Sequence, residues 1–384
     1  MKKLILLYLC ALSLASFAQT TITKNLVSSG ITREYRIYIP ALYDGTKAVP
    51  VVFNFHGYTS NNLAQEFYAD FRPVADTANF IVVHPQGTVI GGGNAWNNFD
   101  LATTPDDVAF VSDMIDSLKA NYNIDLNRVY STGLSNGGFM SYDLACKLNN
   151  RIAAIASVSG SMIASHFNAC NVLRPTPIMQ IHGDIDAVVT YNGTGGIIGS
   201  IHIDTLIKKW VTQNNCNPTP IYTPVPNINT TDGCVAEHYE YINGGNGSTV
   251  ELFKIIGGGH TWPGTSIMVP SNGNTNLDFS ASREIWRFFS KFSLANLSTS
   301  ASTWDAEEKV IFYPNPTSDM LYVAKTIDKP IQITLQNTLG QLVMNQTLQA
   351  NENAISISGL PAGVYCIRFQ ENGKTAQLSK LLVK

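Results

Sequence analysis

The stretch Arg128-Val129-Tyr130-Ser131-Thr132-Gly133-Leu134-Ser135-Asn136-Gly137-Gly138-Phe139-Met140 decides how this chain is read. Its first five residues are rich in β-branched and aromatic side chains, the composition of a strand. Residues 136–148 space their apolar positions as a helix does. Between them stands Gly133-Leu134-Ser135-Asn136-Gly137, a Gly-x-Ser-x-Gly pattern joining strand to helix. In that setting the glycines permit a sharp turn, and Ser135 is presented at the helix N-terminus as a nucleophile would be. An ordinary serine capping a glycine-rich helix start is the alternative.

Outward from this turn, strand patterns at 34–39, 50–55, 80–84, 128–132, 153–157, 177–181 and 249–256 alternate with helix patterns at 108–122, 136–148, 202–213 and 282–289. Several of these strands are apolar at every position, the mark of a parallel strand covered on both faces. The pattern predicts an α/β fold, a mostly parallel sheet with helices on both faces, over residues 19–290. Residues 291–308 are rich in Ser and Thr, lack a core pattern and read as a linker. Beyond them only short strand patterns recur, at 310–313, 321–324, 331–335, 342–346, 354–357, 364–369 and 378–383, which predicts a small all-β sandwich over 309–384.

Composition narrows the function classes. The 384 residues carry 25 Lys+Arg against 28 Asp+Glu, with 45% hydrophobic and 14% charged residues. That is too apolar for a disordered chain, and with no basic cluster it lacks the surface that nucleic-acid binding needs. Lys2 and Lys3 precede an apolar run from Leu4 to Leu14, and Ser16-Phe17-Ala18 offers small residues for cleavage, so residues 1–18 read as a signal peptide and the protein as secreted. The run falls short of the roughly 20 residues that span a bilayer, and no permanent membrane span is expected. Cys10 follows the bulky Leu9 and is a poor lipidation site. Five cysteines follow the signal. Pairing by proximity joins Cys146 to Cys170 and Cys216 to Cys234, leaving Cys366 over; four cysteines allow three pairings, and buried thiols are the other reading.

A serine hydroxyl needs a base to take its proton, and an elbow serine expects an acid and then a histidine downstream. Of the seven histidines, His260 in Gly257-Gly258-Gly259-His260-Thr261-Trp262-Pro263-Gly264 lies in a loop just after a strand and is the expected base. His84 and His182 end strands, His202 belongs with a helix, and His56 is placed to shape the loop after residue 55. The acid is expected in His182-Gly183-Asp184-Ile185-Asp186, with Asp186 preferred and Asp184, which can close its own turn, second. An oxyanion hole takes two backbone N–H groups, here those of Asn136 and Tyr58. Trp96 and Trp262 are candidates to stack on substrate, with packing roles as the alternative. Asp106 and Asp107 can simply begin a helix. His202-Ile203-Asp204 is too sparse for a metal site, residues 193–198 miss a dinucleotide fingerprint, and no metal or cofactor is expected.

Taken together, His56-Gly57-Tyr58, Pro85-Gln86-Gly87-Thr88, Trp96-Asn97-Asn98, Asp106-Asp107-Val108, the serine turn, the His-Gly-x-x-Asp loop and Gly-Gly-His-Thr-Trp-Pro-Gly resemble the secreted polyhydroxybutyrate depolymerase and feruloyl esterase family of α/β-hydrolases. The resemblance spans about residues 25–290. It implies a Ser135, Asp186, His260 triad and an ester substrate, either a polysaccharide ester or a polyester. Related polyester depolymerases often carry Cys where this chain has Tyr58, and Ala-Gly-Ala where it has Asn136-Gly137-Gly138, which points to feruloyl or acetyl esters of plant cell walls. A catalytically dead binding module is the rival from another class, and the three triad types in order weigh against it. The C-terminal Tyr313-Pro314-Asn315-Pro316, Gly340, Gly363-Val364-Tyr365 and Lys380-Leu381-Leu382-Val383-Lys384 resemble the type A sorting domain of the type IX secretion system. That resemblance implies the secretion machinery as a partner.

Overall fold

Strands that are apolar at every position need cover on both faces, and the computed structural model provides it. It describes residues 19–98, 105–172, 174–193, 199–297, 312–323, 330–337, 341–349, 353–371 and 374–384. The expected signal peptide, residues 298–308 of the expected linker, residues 194–198 and Gly340 lie outside the described residues. The chain divides into two units between Ser298 and Thr299.

The strands of the first unit are β1 (Thr20–Ser28), β2 (Ile31–Ile39), β3 (Val49–Phe55), β4 (Ile81–Pro85), a separate hairpin of β5 (Thr88–Ile90) and β6 (Gly93–Ala95), then β7 (Ile124–Leu134), β8 (Ala154–Val158), β9 (Ile178–Gly183), β10 (Ile221–Pro224), β11 (Val235–Tyr241) and β12 (Val250–Ile256). Apart from the hairpin they form one sheet in the order β1-β2-β4-β3-β7-β8-β9-β12-β11-β10. The six from β4 to β12 are parallel, and the two at each edge are antiparallel. The α-helices are α1 (Asn62–Tyr68), α2 (Arg72–Ala78), α3 (Asp107–Asn121), α4 (Asn136–Lys147), α5 (Ala164–Ala169), α6 (Ile203–Gln213), α7 (Ala281–Phe289) and the single turn α8 (Leu294–Leu297).

Period-two alternation along the central strands feeds two cores. Val51, Phe53 and Phe55 of β3, Val129 of β7 and Ile155 of β8 join Phe110 and Met114 of α3 and Trp210 of α6. Val52, Tyr130, Ala154 and Ala156 face the other way, toward Phe71, Ile285, Phe288 and Phe289. Each large side chain so buried contributes roughly 1.5–3 kcal/mol. The residues just past α7 also belong to this unit: Phe292 is buried, and its carbonyl accepts from the Tyr130 hydroxyl at 2.6 Å. The expected linker therefore starts later than residue 291.

One expected disulfide is present and the other is not. Cys146 and Cys170 are bonded, closing α4 to the end of α5 across 24 residues, worth on the order of 3 kcal/mol by loop entropy. Cys216 and Cys234 are free and buried. Cys216 lies beside the far end of β11, where Asn217 N–H donates to Ile242 O, while Cys234 precedes the first residue of that strand. Seven residues of strand put them about 20 Å apart, far beyond disulfide reach. Burial pushes the Cys216 thiol up to about 11 and the Cys234 thiol to about 12.

The second unit has two antiparallel sheets. Strands β13 (Phe312–Tyr313), β14 (Met320–Val323) and β17 (Ala354–Ser356) form one; β15 (Ile331–Gln336), β16 (Leu342–Leu348), β18 (Gly363–Glu371) and β19 (Lys374–Val383) form the other. Leu321, Ile333, Leu335, Ile355, Ile367 and Phe369 fill its core.

Candidate active site

Only Ser135 separates β7 from α4, and it takes φ 55° and ψ −121°. For a residue with a Cβ this left-handed geometry costs on the order of 1 kcal/mol or more, so its surroundings must hold it. They do: Ser135 N–H donates to Val158 O at 2.9 Å, and Ser135 O accepts from Gly138 and Phe139 N–H at 2.7 and 3.0 Å. Gly137 is required by crowding, since a Cβ there would sit 2.1 Å from Phe55 O. The Ser135 side chain makes no capping bond, so the hydroxyl is not spent on the helix as in an ordinary N-cap.

His260 and Asp186 meet from two loops. The tight loop after β12 carries His260, whose N–H donates to Asn272 O at 2.7 Å; a Cβ at Gly259 would lie 2.1 Å from the same oxygen. The loop after β9 carries Asp186, whose Oδ2 is 2.8 Å from His260 Nδ1. Asp186 Oδ1 accepts from Val188 and Val189 N–H at 2.8 and 2.9 Å. Burial alone would raise the Asp186 pKa, but the hydrogen bond from His260, the nearby His260 and His182 rings and the Val189 N–H together hold it below the usual carboxylate value. The other candidate acid, Asp184, accepts from Gly257 N–H at 2.8 Å and ties the two loops together.

The loop after β3 lies against the serine: a Cβ on Gly57 would be 3.4 Å from Ser135 Cβ. Asn136 opens α4, so its N–H has no acceptor within the helix and points from the positive end of the dipole. Behind both runs a buried polar network that sequence reasoning missed. His56 Nε2 accepts from Gly87 N–H at 2.9 Å, so the ring proton is on Nδ1, which donates to Gly57 O at 2.8 Å. Burial pushes His56 down to about 4, against the favourable bond to Gly57 O. Trp96 Nε1 donates to His56 O at 2.9 Å, and Trp96 N–H donates to Asn136 Oδ1 at 2.7 Å. Asn136 Nδ2 donates to Asn98 Oδ1 at 2.7 Å, and Asn98 Nδ2 to Asn136 O at 2.9 Å. Asp107 does more than start α3: it accepts from Asn97 N–H at 2.6 Å and pairs with the buried Arg33. The signal lies in Trp96-Asn97-Asn98 and Asp106-Asp107, but sequence alone does not show that these side chains meet.

Ser135 and His260 line a common cavity of about 390 Å³, walled also by Tyr58, Phe67, Tyr68, Leu134, Ile267 and Val269. Neither tryptophan chosen from sequence stacks there. Trp96 is 1% exposed and spends its indole N–H on His56 O; Trp262 is equally buried, edge-on to Phe71, with its indole N–H donated to Ser282 Oγ at 3.2 Å. Phe67 and Tyr68 occupy the place expected of them. Among the described residues no group of three or more His, Cys, Asp or Glu is arranged to hold a metal ion, and no helix is long and apolar enough to cross a membrane.

A mostly parallel sheet, a serine at a left-handed strand-to-helix turn, and a His–Asp pair on loops after two later strands define an α/β-hydrolase. A phospholipase/carboxylesterase family model matches residues 43–196. Feruloyl esterase C of Emericella nidulans is 30% identical over 213 residues, 54% of this chain and 70% of that protein. The bifunctional acetylxylan esterase/xylanase XynS20E of Neocallimastix patriciarum is 27% identical over 275 residues, 71% of this chain; the chain spans only 35% of that relative's length. Among solved structures, the acetyl xylan esterase from Aspergillus awamori shares the fold, with a TM-score of 0.50 at 14% identity over 70% of this chain and 99% of that one. The chain belongs to the feruloyl esterase family of α/β-hydrolases. Residues 311–384 match a secretion system C-terminal sorting domain, which marks the protein for export by the type IX secretion system to the cell surface or beyond.

Proposed function

We propose that this protein is a serine esterase that removes feruloyl or acetyl groups from plant cell-wall polysaccharides through an acyl-enzyme. One observation carries the reading: Ser135 and His260 share a cavity, and His260 Nδ1 lies 2.8 Å from Asp186 Oδ2. Ser135 Oγ attacks the ester carbonyl and passes its proton to His260 Nε2, while Asp186 holds the Nδ1–H and orients the ring. The carbonyl oxygen, now negative, takes hydrogen bonds from Asn136 and Tyr58 N–H. Collapse expels the sugar hydroxyl, which leaves with the proton from His260. Water then repeats the sequence and frees the acid. A cavity of about 390 Å³ with aromatic walls suits a ring-bearing acyl group and would be underfilled by acetyl, so the feruloyl class is preferred.

The test is Ser135→Ala assayed on methyl ferulate. Turnover is expected to fall by roughly 10⁴-fold or more, and near-normal turnover would remove the nucleophile from the reading. Methyl ferulate, acetylated xylan, polyhydroxybutyrate and an aromatic polyester, compared on one purified sample, rank the substrates; fastest action on a polyester overturns the cell-wall assignment. A fluorophosphonate probe that leaves Ser135 unlabelled favours the binding-module reading instead.

A further inference from the structure

Behind the acid loop lies a line of buried polar groups for which the proposed chemistry has no use. Tyr142 sits on α4, two turns beyond Ser135; Gln180 and His182 stand on the same face of β9. All three are buried. The Tyr142 hydroxyl donates to Gln180 Oε1 at 2.8 Å. Gln180 Nε2 donates to Gly160 O at 2.8 Å and lies 2.9 Å from His182 Nδ1. His182 Nε2 lies 2.7 Å from Val189 O.

The carbonyls fix the direction of every bond. Gly160 O can only accept, so the Gln180 amide must turn its NH₂ group that way and give its second N–H to His182 Nδ1. Nδ1 is therefore an acceptor, and the ring proton sits on Nε2. Val189 O, again only an acceptor, receives it. Burial lowers the His182 pKa even against the attraction of Asp186 beside it, so the ring acts as a neutral donor.

The line ends on the acid. Val189 is gripped on one side by His182 through its carbonyl and on the other grips Asp186 Oδ1 through its N–H at 2.9 Å. Asp186 Oδ2 is left for His260 at 2.8 Å, with His182 Nε2 at 3.6 Å. We propose that His182 is a positioning residue: its Nε2–H fixes Val189 and thereby aims the Asp186 carboxylate at His260, while Gln180 and Tyr142 tie that aim to the helix that carries Ser135. The inference rests on the esterase reading above, and its failure would leave that reading standing, because Ser135→Ala tests the nucleophile separately.

His182→Phe fills the space and removes both nitrogens. Turnover is measured per active site, counted by complete fluorophosphonate labelling, so that partly unfolded protein does not mimic a catalytic loss. The expected result is a fall in kcat of about 10- to 100-fold with KM changed less than about twofold, since the substrate cavity is untouched. His182→Gln keeps an uncharged N–H near the Nε2 position and is expected to return kcat to within about fivefold of the native value. Wild-type kcat in His182→Phe overturns the proposal, as does a His182→Gln variant no faster than His182→Phe, or a loss confined to KM. Should His182→Phe fail to fold, Tyr142→Phe decides: it removes only the first donor, and a kcat about two- to fivefold lower supports the relay, whereas an unchanged kcat overturns it.

Discussion

The candidate site has two walls of opposite character. Behind Ser135, His56, Trp96, Asn98 and Asn136 are buried and bonded to one another in fixed directions. Facing the cavity stand Phe67 and Ile267, each more than 40% exposed, with no comparable polar constraint. The physics of the two differs. Moving a buried polar group strands a donor or acceptor at about 1–3 kcal/mol, so the first wall has essentially one arrangement. Apolar contact is non-directional and tolerates a change of shape. On the proposed mechanism the reacting atoms are held by the wall that cannot vary, and the acyl group is met by the wall that can.

The sharpest way to break this comparison is Trp96→Phe. It removes the N–H that holds His56 O and leaves that carbonyl unpaired at the root of the loop carrying Tyr58. On the proposed mechanism kcat falls about tenfold, equally for methyl ferulate and for nitrophenyl acetate, because the oxyanion donors rather than the acyl contacts are disturbed. Losses that differ between the two esters would place Trp96 in substrate selection, and an unchanged kcat would show the polar wall to be slack.

The same wall should register pH through His56. Its folded pKa is pushed by burial to about 4, below the roughly 6.5 of an unfolded chain. The unfolded state therefore takes the proton first. The stability this histidine confers is complete above pH 6.5 and is lost as pH falls toward 4, by about 1.4 kcal/mol per pH unit. Burial also depresses His84, to about 3, and His182, so these add slopes of the same sign. Denaturant midpoints at pH 7.5, 6 and 5, compared between native protein and His56→Gln, check it: the variant should lose the His56 share of the slope, and parallel curves would mean the ring protonates as easily folded as unfolded.

The walls also differ in how legible they were. Central strands could be read because residues covered on both faces are apolar throughout, as in β3 and β8. Strand β10 is exposed at all four positions and α1 and α2 have seven residues each, too exposed or too short for a period to show. Ser135 and His260 stood out because the turns that present them need glycines at fixed places, whereas the loop after β9 offered both Asp184 and Asp186. Sequence marked Trp96 as an aromatic near the chemistry but carried no sign of which side of the loop it faces. Cys216 and Cys234 mislead for a related reason: short separation along the chain does not give closeness in space when a strand lies between.

The apolar wall gives the smallest and most discriminating effect. Phe67 lines the cavity shared by Ser135 and His260, is 46% exposed, and carries the Arg72 guanidinium 4.3 Å from its ring centre. Phe67→Ala removes an aromatic face without touching a hydrogen bond of the polar network. A ring-bearing acyl group packed on that face loses about 1 kcal/mol of contact, so kcat/KM for methyl ferulate should fall about fivefold, through KM. Nitrophenyl acetate, whose acyl group is too small to reach the face, should keep its kcat/KM within about twofold. Equal losses on both esters would put Phe67 in the fixed machinery. No loss on either would mean that the acyl group lies elsewhere in the cavity, against Ile267 and Val269, and that the feruloyl preference inferred from the aromatic walls has the wrong basis.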